Sequence, residues 1–342
     1  MKEAMLYERL DDARVRCGLC AHRCVIAEDG FGICGVRENL RGTLYSRVYG
    51  RAISLAADPI EKKPLFHFLP GSQAYSVATV GCNLRCAFCQ NANISQMPRD
   101  QGRILGQRAP VEMVISGAER ARCASIAYTY TEPTVFFEYT LDIARAARER
   151  GIASVYVTNG YMTGEMLDAM VDHEGRCLID GANVDLKSFR DAFYRQHCGA
   201  TLQPVLDSIV RMKTRGVWVE VTTLVIPGLN DSDEELTDIA RFVAQEVGVD
   251  TPWHVSRFHP TYKMLDRPPT PVITVHRARE IGLAEGLQYV YVGNVPGSGG
   301  EDTVCPACGH TVIARMGFHV TRYEATGGHC AHCGATIAGY RL

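Results

Sequence analysis

Residues 74–91 read AYSVATVGCNLRCAFCQN: a short β-branched apolar run, then Cys82, Cys86 and Cys89 spaced C-x3-C-x2-C directly behind it. The run has the length and composition of a buried strand. Similar runs recur downstream as CASIAYTY (123–130), SVYVTN (154–159), GANVDLK (181–187), WVEVTTLVI (218–226) and WHVSRF (253–258). Polar or amphipathic helical sequence separates them, most clearly VEMVISGAERAR (111–122), VFFEYTLDIARAARERG (135–151) and DEELTDIARFVAQEVG (233–248). Asp231 and Ser232 are cap candidates for the last of these, and Gly151 ends the second as a C-cap would. Six β-α units and a further strand at QYVYVGN (288–294) predict an α/β fold with parallel strands and right-handed crossovers. That pattern fits a barrel or an open doubly wound sheet.

Outside this repeat lie smaller units. Residues 1–73 are expected to form an N-terminal Cys-rich unit and connector. Within it TLYSRVYGRAISLAA (43–57) reads as a β-hairpin with Gly50 at the turn, and DPIEKKPLFHFLPGSQ (58–73) as a packed loop. Residues 74–292 are the β/α domain, 293–303 (GNVPGSGGEDT) a flexible linker, and 304–342 a C-terminal cysteine unit.

The 342 residues are 46% hydrophobic and 22% charged, which places the chain among globular proteins and excludes disordered and collagen-like classes. A formal charge of -2 gives no long-range field for phosphate backbones, so no nucleic-acid partner is expected. The start, MKEAMLYERLDD, has no apolar signal region, and no stretch approaches the ~20 uncharged apolar residues of a membrane span. No membrane association and a cytoplasmic location are expected. Fourteen cysteines in such a chain favour metal binding over disulfides. Eleven fall in three tight groups; Cys123, Cys177 and Cys198 stand alone.

The central group, Cys82, Cys86 and Cys89, offers three thiolates to three irons of a [4Fe-4S] cubane and leaves the fourth iron without a protein ligand. A zinc site with a borrowed fourth ligand, or an unligated loop, is the plainer alternative. The C-terminal group, CPACG and CAHCG, places Cys305, Cys308, Cys330 and Cys333 in paired knuckles, the pattern of a zinc ribbon or a rubredoxin-like iron site. Zinc is the expectation there, with His332 a solvated spacer. Cys17, Cys20, Cys24 and Cys34 also supply four thiolates, suited to structural zinc or an auxiliary iron-sulfur cluster.

With Phe88 just before the third cysteine, GCNLRCAFCQN resembles the signature of the radical S-adenosylmethionine (SAM) superfamily. More narrowly, the chain looks like the pyruvate formate-lyase activating enzyme group, and most closely the AmmeMemoRadiSam-system radical SAM enzymes. DPIEKKPLFHFLPG, YTYTEPT and the GNVPG stretch before a cysteine ribbon carry that likeness. The resemblance implies a partial (β/α)6 radical SAM barrel, a [4Fe-4S] cluster and SAM as cofactors, and reductive cleavage of SAM to methionine and a 5'-deoxyadenosyl radical. It also implies an electron donor such as a flavodoxin or ferredoxin, with Memo-like and AMMECR1-like proteins as functional partners.

The same resemblance assigns candidate SAM contacts. TYTEPT (129–134) stands where the family often has Gly-Gly-Glu; Glu132 matches the acid, and Thr131 offers a hydroxyl where a glycine backbone would approach. Read without the family, Glu132-Pro133 is a helix start. Asn159 closes the third strand, and Asp185 and Lys187 in VDLKSF match an Asp-Leu-Lys run near SAM; a surface ion pair is the alternative. LVIPGLND (224–231) resembles the segment packing on adenine, with Val225 and Ile226 as its apolar surface. WHVSRFHP (253–260) is expected to bring His254, Arg257 and His259 to the same end. All lie near the carboxyl ends of expected strands, where β/α barrels build active sites. The substrate is expected to be a protein or a small molecule, and a non-catalytic metal scaffold is the reading from another class.

Overall fold

The computed structural model describes every residue except 296 and 298. Its apolar runs form strands buried on both faces, as a helix-covered parallel sheet demands. Strand β1 (Ser54–Pro59) lies antiparallel to β2 (Gln73–Ala78). From β2 onward the neighbours are all parallel: β3 (Ser125–Tyr128), β4 (Ala153–Thr158), β5 (Gly181–Asp185), β6 (Trp218–Val225), β7 (Trp253–Arg257) and β8 (Val290–Gly293). Order in the sheet equals order in the chain and never reverses, so the sheet is not doubly wound. Among the described residues no ladder joins β8 to β1, which leaves an α/β barrel that is incomplete.

Helices α1 (Val111–Arg120), α2 (Phe137–Glu149), α3 (Gln203–Thr214), α4 (Asp233–Phe242) and α5 (Val272–Ala284) alternate with these strands. Ser232 caps α4, its hydroxyl accepting from the Glu235 amide at 3.2 Å, whereas Asp231 accepts from Gly228 N. Gly151 follows α2 with φ +69°, the left-handed turn that ends a helix. Among the described residues no helix is long and apolar enough to cross a membrane.

The hairpin expected across 43–57 does not form. Thr43–Ser46 pairs with Arg37–Leu40, Arg51–Ala52 with Gln107–Arg108, and Ser54–Pro59 with β2. The tight turn falls instead at Arg41 and Gly42, whose φ values of +54° and +76° suit the right-handed twist of the flanking strands. Alternation marked the strands there and left their partners open.

The amino end of the barrel is closed by the connector and the cysteine ribbon. Buried Glu220 on β6 accepts the backbone N–H groups of Phe66 (2.9 Å) and His67 (2.8 Å). The Phe68 ring stacks on Tyr340 at 4.4 Å, and Arg315 from the ribbon donates to Phe66 O at 2.7 Å while lying 4.3 Å over the Phe66 ring. The described residues of 293–303 are tied down: Asp302 accepts from Arg315 N (2.7 Å), Glu301 accepts from Gly317 N (3.0 Å), and Gly300 O accepts from Val292 N (3.0 Å). The linker expected at 293–303 thus docks the ribbon where it is described; the part at 296 and 298 lies outside the described residues. Arg315 is the buried centre of that contact, so Arg315→Ala should lower unfolding free energy by about 3 kcal/mol in a denaturant titration. A loss under about 0.5 kcal/mol would show that docking adds nothing.

Candidate active site and metal centres

Strand β2 ends in the loop that carries Cys82, Cys86 and Cys89, at the carboxyl end of the barrel. The thiols are held by neighbours: Leu84 N donates to Cys82 Sγ (3.4 Å), and Ser95 Oγ lies 3.2 Å from Cys89 Sγ. Burial, with Glu132 and Cys86 nearby, pushes the Cys82 thiol well above its ordinary value. Cys86 is lowered by a hydrogen bond from Cys198, a residue that stood alone in the sequence. Phe88 is buried and packs 5.8 Å from Phe193.

Three expected residues converge on this loop. Asn159 Nδ2 donates to Asn83 Oδ1 at 2.8 Å and lies 3.7 Å from Cys82 Sγ. Lys187 Nζ donates to Asp185 Oδ2 at 2.8 Å and sits 5.8 Å over the Phe88 ring. Burial opposes its charge, yet Asp185, then Cys86 and Cys198, hold the Lys187 ammonium well above the usual lysine range. Asp185 and Lys187 therefore face the cysteine loop together, as i, i+2 positions at a strand end permit.

Glu132 is placed beside them and is already engaged. Its Oε1 accepts from Thr134 N (3.1 Å), Thr134 Oγ1 (2.6 Å) and Thr158 Oγ1 (2.7 Å), and Oε2 accepts from Asn159 N (2.8 Å). Burial raises its carboxyl above the usual range, against these donors. It also caps the short helix Pro133–Phe136, so the helix-start reading describes its local contacts. Thr131 Oγ1 donates to Thr79 O at 2.9 Å. Tyr130, standing where the family has glycine, adopts φ +66°, so the left-handed backbone is present without the glycine. Its hydroxyl donates to Asp58, which anchors the ring on β1. Gly160 has φ +68°, and a Cβ there would come within 2.8 Å of Val184 Cγ1, so the turn after Asn159 requires glycine.

Other expected residues go elsewhere. His254 is the second residue of β7, in the amino half of the barrel, where its Nε2 pairs with Glu220 at 2.6 Å in a buried network. The motif WHVSRFHP placed it by proximity to a strand end, whereas its position at the start of Trp253–Arg257 puts it at the closed end. His259 is exposed beyond β7, in a segment that docks on the cysteine loop through Lys263 N and Ala87 O (2.9 Å). Val225 and Ile226 are both fully buried. Two residues that sequence reading passed over reach the loop from far away: His22 Nε2 lies 2.8 Å from Asn83 O, and Cys198 O accepts from Arg85 N at 2.9 Å.

The ribbon cysteines Cys305, Cys308, Cys330 and Cys333 bring four sulfurs within 4.8 Å of one another, with pairs at 3.7 and 3.8 Å. His332 stacks on His310 at 5.3 Å and is exposed, as a spacer would be. The N-terminal cysteines line a separate pocket with His22, Arg37 and Thr134.

A family model described as the radical SAM superfamily matches residues 76–243. The chain is 47% identical over 339 residues to an uncharacterised protein of Methanocaldococcus jannaschii, covering 98% of this chain and 99% of that one. It is 24% identical over 169 residues to the pyruvate formate-lyase-activating enzyme of Clostridium pasteurianum, covering 48% of this chain and 66% of the relative. A radical SAM methyltransferase structure from Sphaerobacter thermophilus matches in fold, with a TM-score of 0.51 at 20% identity over 66% of this chain and 67% of that one.

Proposed function

The chain belongs to the radical SAM superfamily and is an enzyme of that type, and from that premise we propose that it cleaves SAM at a [4Fe-4S] cluster held by Cys82, Cys86 and Cys89. The donor set fits: three thiols on one loop satisfy three irons and leave the fourth for SAM. When bound and reduced, that cluster supplies the electron that splits SAM into methionine and a 5'-deoxyadenosyl radical, which takes a hydrogen atom from substrate.

The chain's own residues position and shield. Asn159 ties the end of β4 to the cysteine loop through Asn83, so the loop is fixed from the barrel wall. Lys187 brings a buried positive charge to the cluster side, balanced by Asp185, and favours bound anionic groups there. Glu132 orders Thr158, Thr134 and Asn159 around the site. The observation that carries this reading is the convergence of β2, β4 and β5 side chains on one three-cysteine loop at the barrel's carboxyl end.

The activating-enzyme relationship supports a protein substrate, with a flavodoxin or ferredoxin as electron donor. Placement within the AmmeMemoRadiSam group, with Memo-like and AMMECR1-like partners, rests on the quoted sequence phrases. For the ribbon, zinc is proposed: a tetrahedral ion with metal–sulfur bonds of about 2.3 Å spaces its sulfurs about 3.8 Å apart, and the observed pairs are 3.7 and 3.8 Å.

Electron paramagnetic resonance tests the cluster reading. Dithionite-reduced protein should give a cluster signal whose g-values change on adding SAM, and Cys89→Ala should abolish the change. A signal indifferent to SAM in the unmodified protein would contradict an open iron.

A further inference from the structure

We propose that Cys17, Cys20, Cys24 and Cys34 hold a second iron-sulfur cluster, a [4Fe-4S] cubane with four protein ligands, packed against the loop that carries Cys82, Cys86 and Cys89. The site goes beyond the SAM-cleaving reading and stands on different residues.

The four thiols share one pocket. Cys17 ends the strand Val15–Cys17, and its N–H donates to Cys24 O (2.9 Å), while Arg23 N donates to Cys20 O (3.0 Å). All four cysteines line the pocket together with apolar Leu19, Ile26 and Ile33. Gly32 leaves room between two of them: a Cβ there would stand 3.8 Å from both Cys24 Sγ and Cys34 Sγ. Backbone N–H groups of His22, Ile33 and Val36 point at the sulfurs of Cys20, Cys24 and Cys34.

Four thiols in one pocket suit a lone tetrahedral ion or a cubane, since each takes four thiolates, and iron content separates the two.

Charge gives a second, independent pointer. Arg37 is 1% exposed and lines the same pocket. Its Nη2 is engaged by Glu138 at 2.6 Å, whereas Nε and Nη1 have no hydrogen-bond partner. Buried, unpaired guanidinium N–H groups are unfavourable unless an acceptor or an anion sits beside them. A four-thiolate cubane is an anion of that kind. The location is equally specific, since His22 Nε2 lies 2.8 Å from Asn83 O, next to Cys82, and Thr134 and Val135 line the pocket from the helix capped by Glu132.

Metal analysis after anaerobic reconstitution with iron and sulfide decides it. The full chain should hold about eight Fe, and the variant Cys82→Ala/Cys86→Ala/Cys89→Ala should keep about four with the Mössbauer signature of a cubane. Cys20→Ser in the otherwise native chain should lose about half the iron and keep the SAM-dependent signal change. Ribbon zinc, at about one per chain, reports that each variant is folded. Zinc at about two per chain with no iron in the triple variant overturns the proposal. So does iron unchanged by Cys20→Ser. Failure of the SAM-cleaving reading would look different: iron lost with Cys20→Ser and unaffected by the triple substitution.

Discussion

Cys86→Ala should reduce SAM cleavage to the level of a protein-free control while the fold and the ribbon metal persist. The side chain is small and buried, so removing it alters packing by about 1 kcal/mol at most. On the proposed reading its loss removes one of three iron ligands, and the loop offers no fourth cysteine to replace it. Cys198, the buried thiol that hydrogen-bonds to Cys86, sits on a separate helical turn, Tyr194–Cys198. The check is product analysis for 5'-deoxyadenosine together with thermal melting and zinc content. Cleavage retained at more than about a tenth of the native rate would place the cluster elsewhere.

Glu132→Ala should have the second largest effect, and on stability. The carboxylate is 2% exposed and serves four donors, two of them backbone N–H groups that cannot turn away. Orphaning those buried donors should lower unfolding free energy by about 3 kcal/mol. Glu132→Gln, which keeps an acceptor oxygen, should lose about half as much. Denaturant titration measures both. Were Glu132 a ligand of SAM alone, the alanine variant would keep its stability and lose only SAM affinity, so the two readings separate cleanly.

These cases show what a linear sequence carries. The C-x3-C-x2-C loop was legible because both of its determinants are local: an apolar strand and a fixed cysteine spacing. The alternation of strands and helices likewise predicted parallel β/α units but left a barrel and a doubly wound sheet open, because that choice is a property of strand order that no single segment holds; the partial barrel was expected from the family resemblance. What stayed hidden depends on contacts between distant positions. His22 meets Asn83, Arg37 meets Glu138, and Cys198 meets Cys86 only after folding. His254 was misplaced because the motif begins at the start of its strand: as the second residue of Trp253–Arg257 it lies in the amino half of the barrel, where it meets Glu220. Tyr130 shows the converse, since a glycine-favouring backbone persists where the sequence departs from glycine, anchored through Asp58.

The most direct measurement is the fate of SAM. Anaerobically reconstituted, dithionite-reduced protein incubated with SAM should yield 5'-deoxyadenosine and methionine in equal amounts. A fully loaded, reducible cluster that leaves SAM intact, with the activating-enzyme reaction running under the same conditions as a control, would contradict SAM cleavage at the Cys82, Cys86 and Cys89 loop.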